Sequence, residues 1–131
     1  MSHEVASLEL RRLAQVGLTV KNMDLARGFY RDVLGLPMLF EVSGMMFFQL
    51  QGLRLMLGQA RSAEQPIGGS VLYFDTPDFE DMNAALERKG VAFIGPAQTV
   101  QRMETQDLKL REFLDPDGNA LAIMGLVSRA S

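Results

Sequence analysis

The sequence of 131 residues is most simply one domain, long enough to bury a core without disulfides or a structural metal. With 47% hydrophobic residues and a formal net charge of −3, it resembles neither a disordered chain nor a basic nucleic-acid-binding protein. Cysteine is absent and the one histidine, His3, lies in a polar terminal segment, which excludes thiol catalysis, histidine triads and paired-histidine metal sites. Since no membrane-length apolar run or signal-peptide pattern is present, we expect a cytoplasmic protein with no membrane partner.

The first half of the chain predicts a strand, a helix and a three-stranded meander. Residues 15–20 alternate in polarity like a half-buried strand. Residues 25–34 carry apolar side chains at helical spacing, and Gly35 supplies a helix stop. Short apolar runs separated by glycine-bearing turns then predict strands at residues 36–42, 45–50 and 53–57.

The second half of the chain repeats this order after a connection at residues 58–69. A strand is predicted at residues 70–75, and Thr76 is expected to cap a helix that ends at Gly90. Further strands are predicted at residues 91–94, 99–104, 108–114 and 120–126.

The two halves form an internal repeat of the βαβββ type. Val16 to Gly35 and Val71 to Gly90 have the same length and the same order of strand, helix and glycine. We therefore predict an α+β domain in which two units form a curved, mostly antiparallel sheet around a cup, with the helices outside. The predicted boundaries are an N-terminal segment at 1–12, a domain at 13–126 with units 13–57 and 70–126, and a C-terminal tail at 127–131.

Two motifs in this chain resemble those of the vicinal oxygen chelate superfamily, which includes glyoxalase I, bleomycin-resistance proteins, fosfomycin-resistance enzymes and extradiol dioxygenases. The first motif is the strand from Val16 to Val20 followed by Asp24 and by the run from Phe29 to Leu36. The second is Phe-Leu-Asp-Pro-Asp-Gly-Asn at residues 113–119, before the last strand. The resemblance implies a glyoxalase-like fold and a homodimer, with the cup shared across or adjacent to the interface.

The resemblance also implies where a metal would be bound. Enzymes of the superfamily hold a divalent ion in the cup with ligands from the first and fourth strands of each unit. Those positions fall on Gln15, Met56, Ser70 and Ala122 in this sequence. An amide, a thioether, a hydroxyl and a methyl group do not form a site for a hard divalent ion. We therefore predict neither a metal nor another cofactor.

Strand alternation extends these four positions to a predicted cup lining, which is small, apolar and rich in methionine. Such a lining suits a small apolar or aromatic molecule; alternatively, the same side chains fill the cup and leave no pocket. Arg54 and Arg111 are candidate anchors for an anionic ligand or partners of nearby acids. The candidate ligand-binding residues are Gln15, Thr19, Arg54, Met56, Ser70, Phe74, Arg111, Ala122 and Met124.

Glu112 is the candidate catalytic residue, because it shares a strand face with three leucines and a carboxylate there can have a raised pKa. The alternative is a strand-edge residue paired with an arginine. Asp115 and Asp117 are expected to bond turn amides. Three functions remain open: a metal-independent small-molecule binding protein like those of the bleomycin-resistance branch; a lyase, isomerase or dioxygenase with a displaced metal site or Glu112 chemistry; and an interaction module with a filled cavity.

Overall fold

The computed structural model describes residues 13 and 15–129, so the predicted N-terminal segment at 1–12, with His3, lies outside the described residues. The first unit contains β1 (Gln15–Val20), α1 (Met23–Arg27), a π-helical turn (Gly28–Val33), β2 (Met38–Val42), β3 (Met45–Leu50) and β4 (Leu53–Gln59). The second contains β5 (Val71–Asp75), α2 (Phe79–Arg88), β6 (Ala92–Phe93), β7 (Gln98–Arg102), β8 (Gln106–Leu114) and β9 (Ala120–Ser128).

Each unit forms one mixed sheet. The first sheet has the order β1-β4-β3-β2, and the second has β5-β9-β8 with both β6 and β7 paired to β8. In each sheet the first strand runs parallel to the last, while the remaining pairs are antiparallel. The predicted architecture of two βαβββ units is confirmed. The hydrogen-bonded ladders, however, give two sheets of four and five strands rather than one continuous sheet.

The strand boundaries differ from the predicted ones in the second unit. β6 is a two-residue strand instead of the predicted four, and β9 continues to Ser128, two residues past the predicted end. Because β6 and β7 share one partner strand, they act as a single interrupted edge, which preserves the three-strand count after the helix.

Each helix begins at a side-chain cap. The Asn22 side chain accepts the Leu25 N–H, and the Asp78 side chain accepts the Asp81 N–H, so both caps satisfy a free amide of the first turn. The predicted cap at Thr76 is wrong, since α2 begins two residues later. Both Asp78 and Thr76 belong to residue types that cap helices, and the sequence pattern alone did not separate them.

The equal lengths of the repeated segments conceal a shift of one residue. The stretch from cap to terminal glycine runs from 22 to 35 in the first unit and from 78 to 90 in the second, so the first is one residue longer. The π-helical turn accommodates this extra residue by closing wider hydrogen-bonded rings, as from the Leu34 N–H to the Phe29 carbonyl at 2.9 Å. Positions before the two helices therefore correspond when they are counted back from the caps. Gln15 and Val71 each lie seven residues before their cap, so the equivalent of Gln15 in the second unit is Val71 and not Ser70.

The hydrophobic core lies on the helix-facing side of both sheets and joins the two units. Tyr30 packs against Phe48 of its own unit, and Phe29 packs against Phe113 of the other, with ring centroids 6.0 and 6.3 Å apart. The buried apolar residues of this core are Leu18, Val20, Ala26, Tyr30, Met46, Phe48, Leu55, Leu57, Phe79, Leu86, Phe113, Leu121 and Ile123. We call the opposite side of each sheet its open face.

Candidate functional site

A concave pocket of about 860 Å³ lies over the open face of the first sheet. We call it the first cup. Strands β1 and β4 and the connection after β4 form most of its wall. Its lining residues are Gly17, Leu18, Thr19, Ser43, Gly44, Met45, Met56, Gly58, Gln59, Ala60, Arg61 and Gln65.

Two glycines on the neighbouring strands β1 and β4, Gly17 and Gly58, keep the floor of the first cup hollow. Gly17 is the register partner of Met56, and Gly58 is the register partner of Thr19. A Cβ atom on Gly17 would lie 3.2 Å from Met56 Cε, and one on Gly58 would lie 3.6 Å from Met56 Sδ. Met56 therefore lies across both glycines, and its flexible thioether makes a floor that can adapt to an apolar ligand.

Two polar side chains of the first cup, Arg61 and Gln65, come from the connection that follows β4. Gln65 Nε2 donates to Thr19 Oγ1 at 3.3 Å, and the Arg61 backbone N–H donates to Gln65 Oε1 at 2.7 Å. Gln59, the last residue of β4, donates from Nε2 to the carbonyl of Lys21, the residue after β1, at 2.8 Å. Sequence reasoning missed Arg61 and Gln65, because only the parallel pairing of β1 with β4 brings the connection over Thr19.

In the first unit, the first position at which the resemblance implies a metal ligand carries Gln15, and Gln15 is hydrogen-bonded to Arg54. Arg54 Nη2 donates to Gln15 Oε1 at 3.0 Å, and the guanidinium lies 5.1 Å from the centre of the Phe47 ring. The remaining positions carry Met56, Val71 and Ala122. In residues 13 and 15–129, no cluster of three His, Cys, Asp or Glu side chains could hold a metal ion. A permanent cation beside the one oxygen donor makes this set unsuitable for a divalent ion.

The structure divides the predicted site residues between the two sheets. Gln15, Thr19, Arg54 and Met56 share the open face of the first sheet, as strand alternation predicted. Ala122 and Met124 share a face of β9, opposite to the face that carries the core residue Leu121, and neither lines the first cup.

Two predicted lining residues do not lie on an open face. Ser70 precedes the first residue of β5 and is exposed. Phe74 is the register partner of the core residue Ile123 and packs against the core. The reason is the one-residue shift between the units, which places Tyr73 on the open face, where it is 50% exposed.

Arg111 faces the helix side of β8 and is held there by several partners. Its Nη1 donates to Asn83 Oδ1 at 3.0 Å and to Glu87 Oε2 at 2.7 Å, and its Nε donates to the Gly95 carbonyl at 2.9 Å. The guanidinium lies 3.7 Å above the centre of the Phe93 ring. Arg111 thus joins α2 to β6 and β8. Of its two predicted roles, the structure shows the partner of a nearby acid, Glu87, and Arg111 does not line the first cup.

Glu112 lies on the open face of the second sheet, where it is the register partner of Ala122. It is half-buried and does not line the first cup. The structure therefore separates this carboxylate from the first cup.

The turn after β8 supports the first cup from the other unit. Asp115 Oδ1 accepts the N–H groups of Asp117 and Asn119 at 2.9 and 2.7 Å, which confirms the predicted turn role of Asp115. The second carboxylate oxygen accepts the Tyr30 hydroxyl at 2.8 Å; burial and this neighbouring carboxylate raise the pKa of Tyr30. Asn119 Nδ2 donates to the Thr19 carbonyl at 2.9 Å, so the network continues into β1 of the cup.

Comparison with known proteins places this fold in a family. A profile of the Glyoxalase/Bleomycin resistance protein/Dioxygenase superfamily matches residues 12–123. The chain belongs to this superfamily, which confirms the resemblance found in the sequence. No curated protein matches the chain in sequence.

Solved structures share the fold at low sequence identity. An integron cassette protein from the mobile metagenome of V. cholerae is 22% identical, with a TM-score of 0.73 over 90% of this chain and 97% of that one. Lactoylglutathione lyase from Agrobacterium tumefaciens is 21% identical, with a TM-score of 0.69 over 88% and 93% of the two chains. An antibiotic-binding protein from a Streptomyces species is 21% identical, with a TM-score of 0.70 over 92% and 99%. None of the described helices of this protein is long and apolar enough to span a membrane.

Proposed function

We propose that the first cup binds a small, largely apolar or aromatic molecule without a catalytic metal. The observation that carries this proposal is the pocket itself, whose volume of about 860 Å³ falls in the range of small-molecule sites. Its floor of glycine and methionine offers a flat, adaptable apolar surface, and Thr19 and Gln65 offer a few polar contacts.

The charge of the cup restricts the class of ligand further. Among the described residues that line it, Arg61 is the charged one, and no carboxylate accompanies it. Arg54 adds a second positive charge on the same open face. A neutral or anionic aromatic molecule therefore suits this surface better than a cation, because the guanidinium groups would repel a cation and attract an anion.

Metal-independence is supported by the chemistry of the residues at the ligand positions. Gln15 Oε1 already accepts a hydrogen bond from a guanidinium, and Met56, Val71 and Ala122 offer at best one soft thioether. The fold is shared with a protein named for antibiotic binding and with one named as a lyase, so the fold alone does not choose between them. The donor set favours a binding protein.

The two alternatives have less support from the geometry. Acid–base chemistry by Glu112 would need a substrate on the second sheet, away from the first cup. An interaction module with a filled cavity would lack the hollow over Gly17 and Gly58. We also propose a homodimer, since the exposed apolar residues Phe40 and Val42 on β2 would be covered by a second copy. The cytoplasmic location stays a prediction.

The proposal can be tested with 8-anilinonaphthalene-1-sulfonate, an anionic aromatic dye whose fluorescence rises in apolar surroundings. We expect saturable binding with one site per chain, at the same affinity in EDTA and in added Zn²⁺. A requirement for metal, or no saturable binding by the folded protein, would overturn the proposal.

The second unit supplies the matched variants for this experiment. Gly17 and Tyr73 each lie five residues before their helix cap, so Gly17→Tyr gives the first cup the side chain of the second unit. We expect Gly17→Tyr to weaken dye binding at least tenfold and Tyr73→Ala to leave it unchanged. The opposite pattern would move the binding site to the second sheet.

A further inference from the structure

A second cavity, of about 190 Å³, lies on the helix side of the second sheet. We call it the inner cavity. It is bounded by the residues after the π-helical turn, the segment before α2, α2 itself, and strands β5, β8 and β9. Its lining residues are Leu34, Leu36, Phe74, Asp75, Thr76, Pro77, Met82, Leu86, Phe113 and Ile123.

The inner cavity is an apolar hollow that is open to the surface on one side, where Asp75, Pro77 and Met82 are exposed. An apolar cavity of roughly 150 Å³ lined by Leu, Ile and Phe in another protein stays dry and binds benzene. The inner cavity is larger and has the same kind of lining, with Leu86, Phe113 and Ile123 contributed by the core.

The polar groups around the inner cavity are too few to hold water well. A buried water needs two to four polar partners. Asp75 follows Phe74 in β5, so strand alternation directs its side chain to the open face, away from the cavity. Thr76 is buried, and the hydroxyl makes a single long bond, 3.5 Å to the Asp78 carbonyl. An apolar occupant with at most one polar group suits this lining best.

One wall of the inner cavity is rigid and another can open. The Thr76 N–H donates to the Met124 carbonyl at 2.9 Å, and the Thr76 methyl group lies 3.3 Å from the position of a Cβ on Gly125. The backbone there has no room to move toward β9. On the opposite side, Met82 of α2 is 38% exposed, and a methionine side chain can change rotamer to admit a ligand.

We propose that the inner cavity is a second ligand site, which takes a single-ring aromatic molecule. It is separate from the first cup, because it lies on the helix side of the second sheet while the cup lies on the open face of the first. This site therefore does not rest on the proposed function of the cup, and the two can fail independently.

Toluene is a suitable probe, and ¹⁵N-HSQC and methyl NMR spectra of the intact protein give the readout. We expect saturable shifts in the Leu34, Leu86 and Ile123 signals and a higher melting temperature in the presence of toluene. Shifts confined to Gly17 and Gly58, or no saturable shift, would overturn the proposal.

Two variants and one control make the test specific. Leu36→Phe would fill the cavity and Met82→Trp would block its exposed side, and either should weaken toluene binding at least tenfold. If Leu36→Phe does not fold, Met82→Trp still gives the test, because Met82 is partly exposed and a larger side chain there should not prevent folding. Val100→Ala, on the exposed strand β7 and in neither pocket, should bind toluene like the wild type. Unchanged toluene binding in a folded Met82→Trp protein would contradict the site.

Discussion

The two βαβββ units share their core positions and differ on their open faces. Tyr30 and Leu86 each lie eight residues after their helix cap, and both are buried in the common core. Gly17 and Tyr73 also correspond, yet one is a bare floor residue of a large pocket and the other is a half-exposed aromatic ring. The duplication thus conserves what the core requires, and the open faces diverge where packing places no constraint.

The two arginines of the predicted site show the same contrast. Arg54 lies on the open face of the first sheet, with Gln15 and the Phe47 ring as its described partners. Arg111 lies on the helix side of the second sheet and contacts two residues of α2, a loop carbonyl and the Phe93 ring. Identical side chains therefore have different roles, and the face of the strand decides which.

The largest effect on stability is expected from Arg111→Ala. The change removes charge-assisted hydrogen bonds to Asn83 and Glu87 and a cation–π contact with Phe93, which together stabilise by about 2–4 kcal/mol. Urea unfolding would measure the loss. Arg54→Ala is the matched control, with an expected loss below about 1 kcal/mol, because its contacts are exposed. An equal loss of unfolding free energy in the two variants would contradict the different roles assigned to arginines on the helix side and on the open face.

The next effect is expected from Tyr30→Phe. The variant keeps the buried ring but removes the hydrogen bond to the Asp115 carboxylate, and a hydrogen bond to a charged group contributes about 1.5–3 kcal/mol. The same carboxylate oxygen keeps Asn119 Nδ2 as a donor at 2.9 Å. Leu86→Met, at the corresponding position of the second unit, has no such hydrogen bond to lose and should cost less. A smaller loss of stability for Tyr30→Phe than for Leu86→Met would show that the hydrogen bond from Tyr30 to Asp115, which joins the units, contributes little.

The Tyr30 hydroxyl should also make the stability of the protein depend on pH in the alkaline range. The pKa of Tyr30 is raised in the folded protein above the ordinary value of 10.0. Its contribution to stability is complete below about pH 10 and is lost as the pH rises from there toward the folded pKa, because the unfolded chain releases the proton first. The free energy of unfolding should fall by up to roughly 1.4 kcal/mol per pH unit, and Tyr30→Phe should lack this component. A parallel pH dependence in both proteins would refute the assignment.

The smallest effect is expected at the exposed pair that joins α1 to β2. Arg27 donates to both carboxylate oxygens of Glu41, at 2.9 and 2.6 Å, and lowers the pKa of Glu41. The stabilising effect is therefore present above the ordinary pKa of 4.5 and is lost as the pH falls through the folded value. Glu41→Gln should leave the melting temperature nearly unchanged at neutral pH, since such surface pairs contribute little.

The fold was predictable because it depends on the periodicity of apolar residues and on the glycines that end the helices. Strand alternation, helical spacing and the glycines at residues 35 and 90 give the element order, and the register of β1 with β4 confirms the predicted face of Gln15, Thr19, Arg54 and Met56. The second half of the site was not predictable from the repeat. Its positions depend on one residue added in a π-helical turn, and no sequence pattern distinguishes such a turn from an α-helix.

Of the residues that line the first cup, Thr19 and Met56 were predicted and the others were not. Two of its polar side chains, Arg61 and Gln65, come from a connection that has no periodicity to interpret. Their approach to Thr19 depends on hydrogen bonds between segments far apart in the chain. Only the folded arrangement shows these contacts.

The most direct test of the account is a ¹⁵N-HSQC titration of the intact protein with 8-anilinonaphthalene-1-sulfonate in EDTA. We expect saturable shifts of the amide signals of Gly17, Gly58, Ala60 and Arg61, with the signals of Tyr73 and Ala122 unchanged. Shifts confined to the second sheet, or binding that appears only after a divalent metal is added, would contradict the conclusion that the first unit carries a metal-independent binding cup.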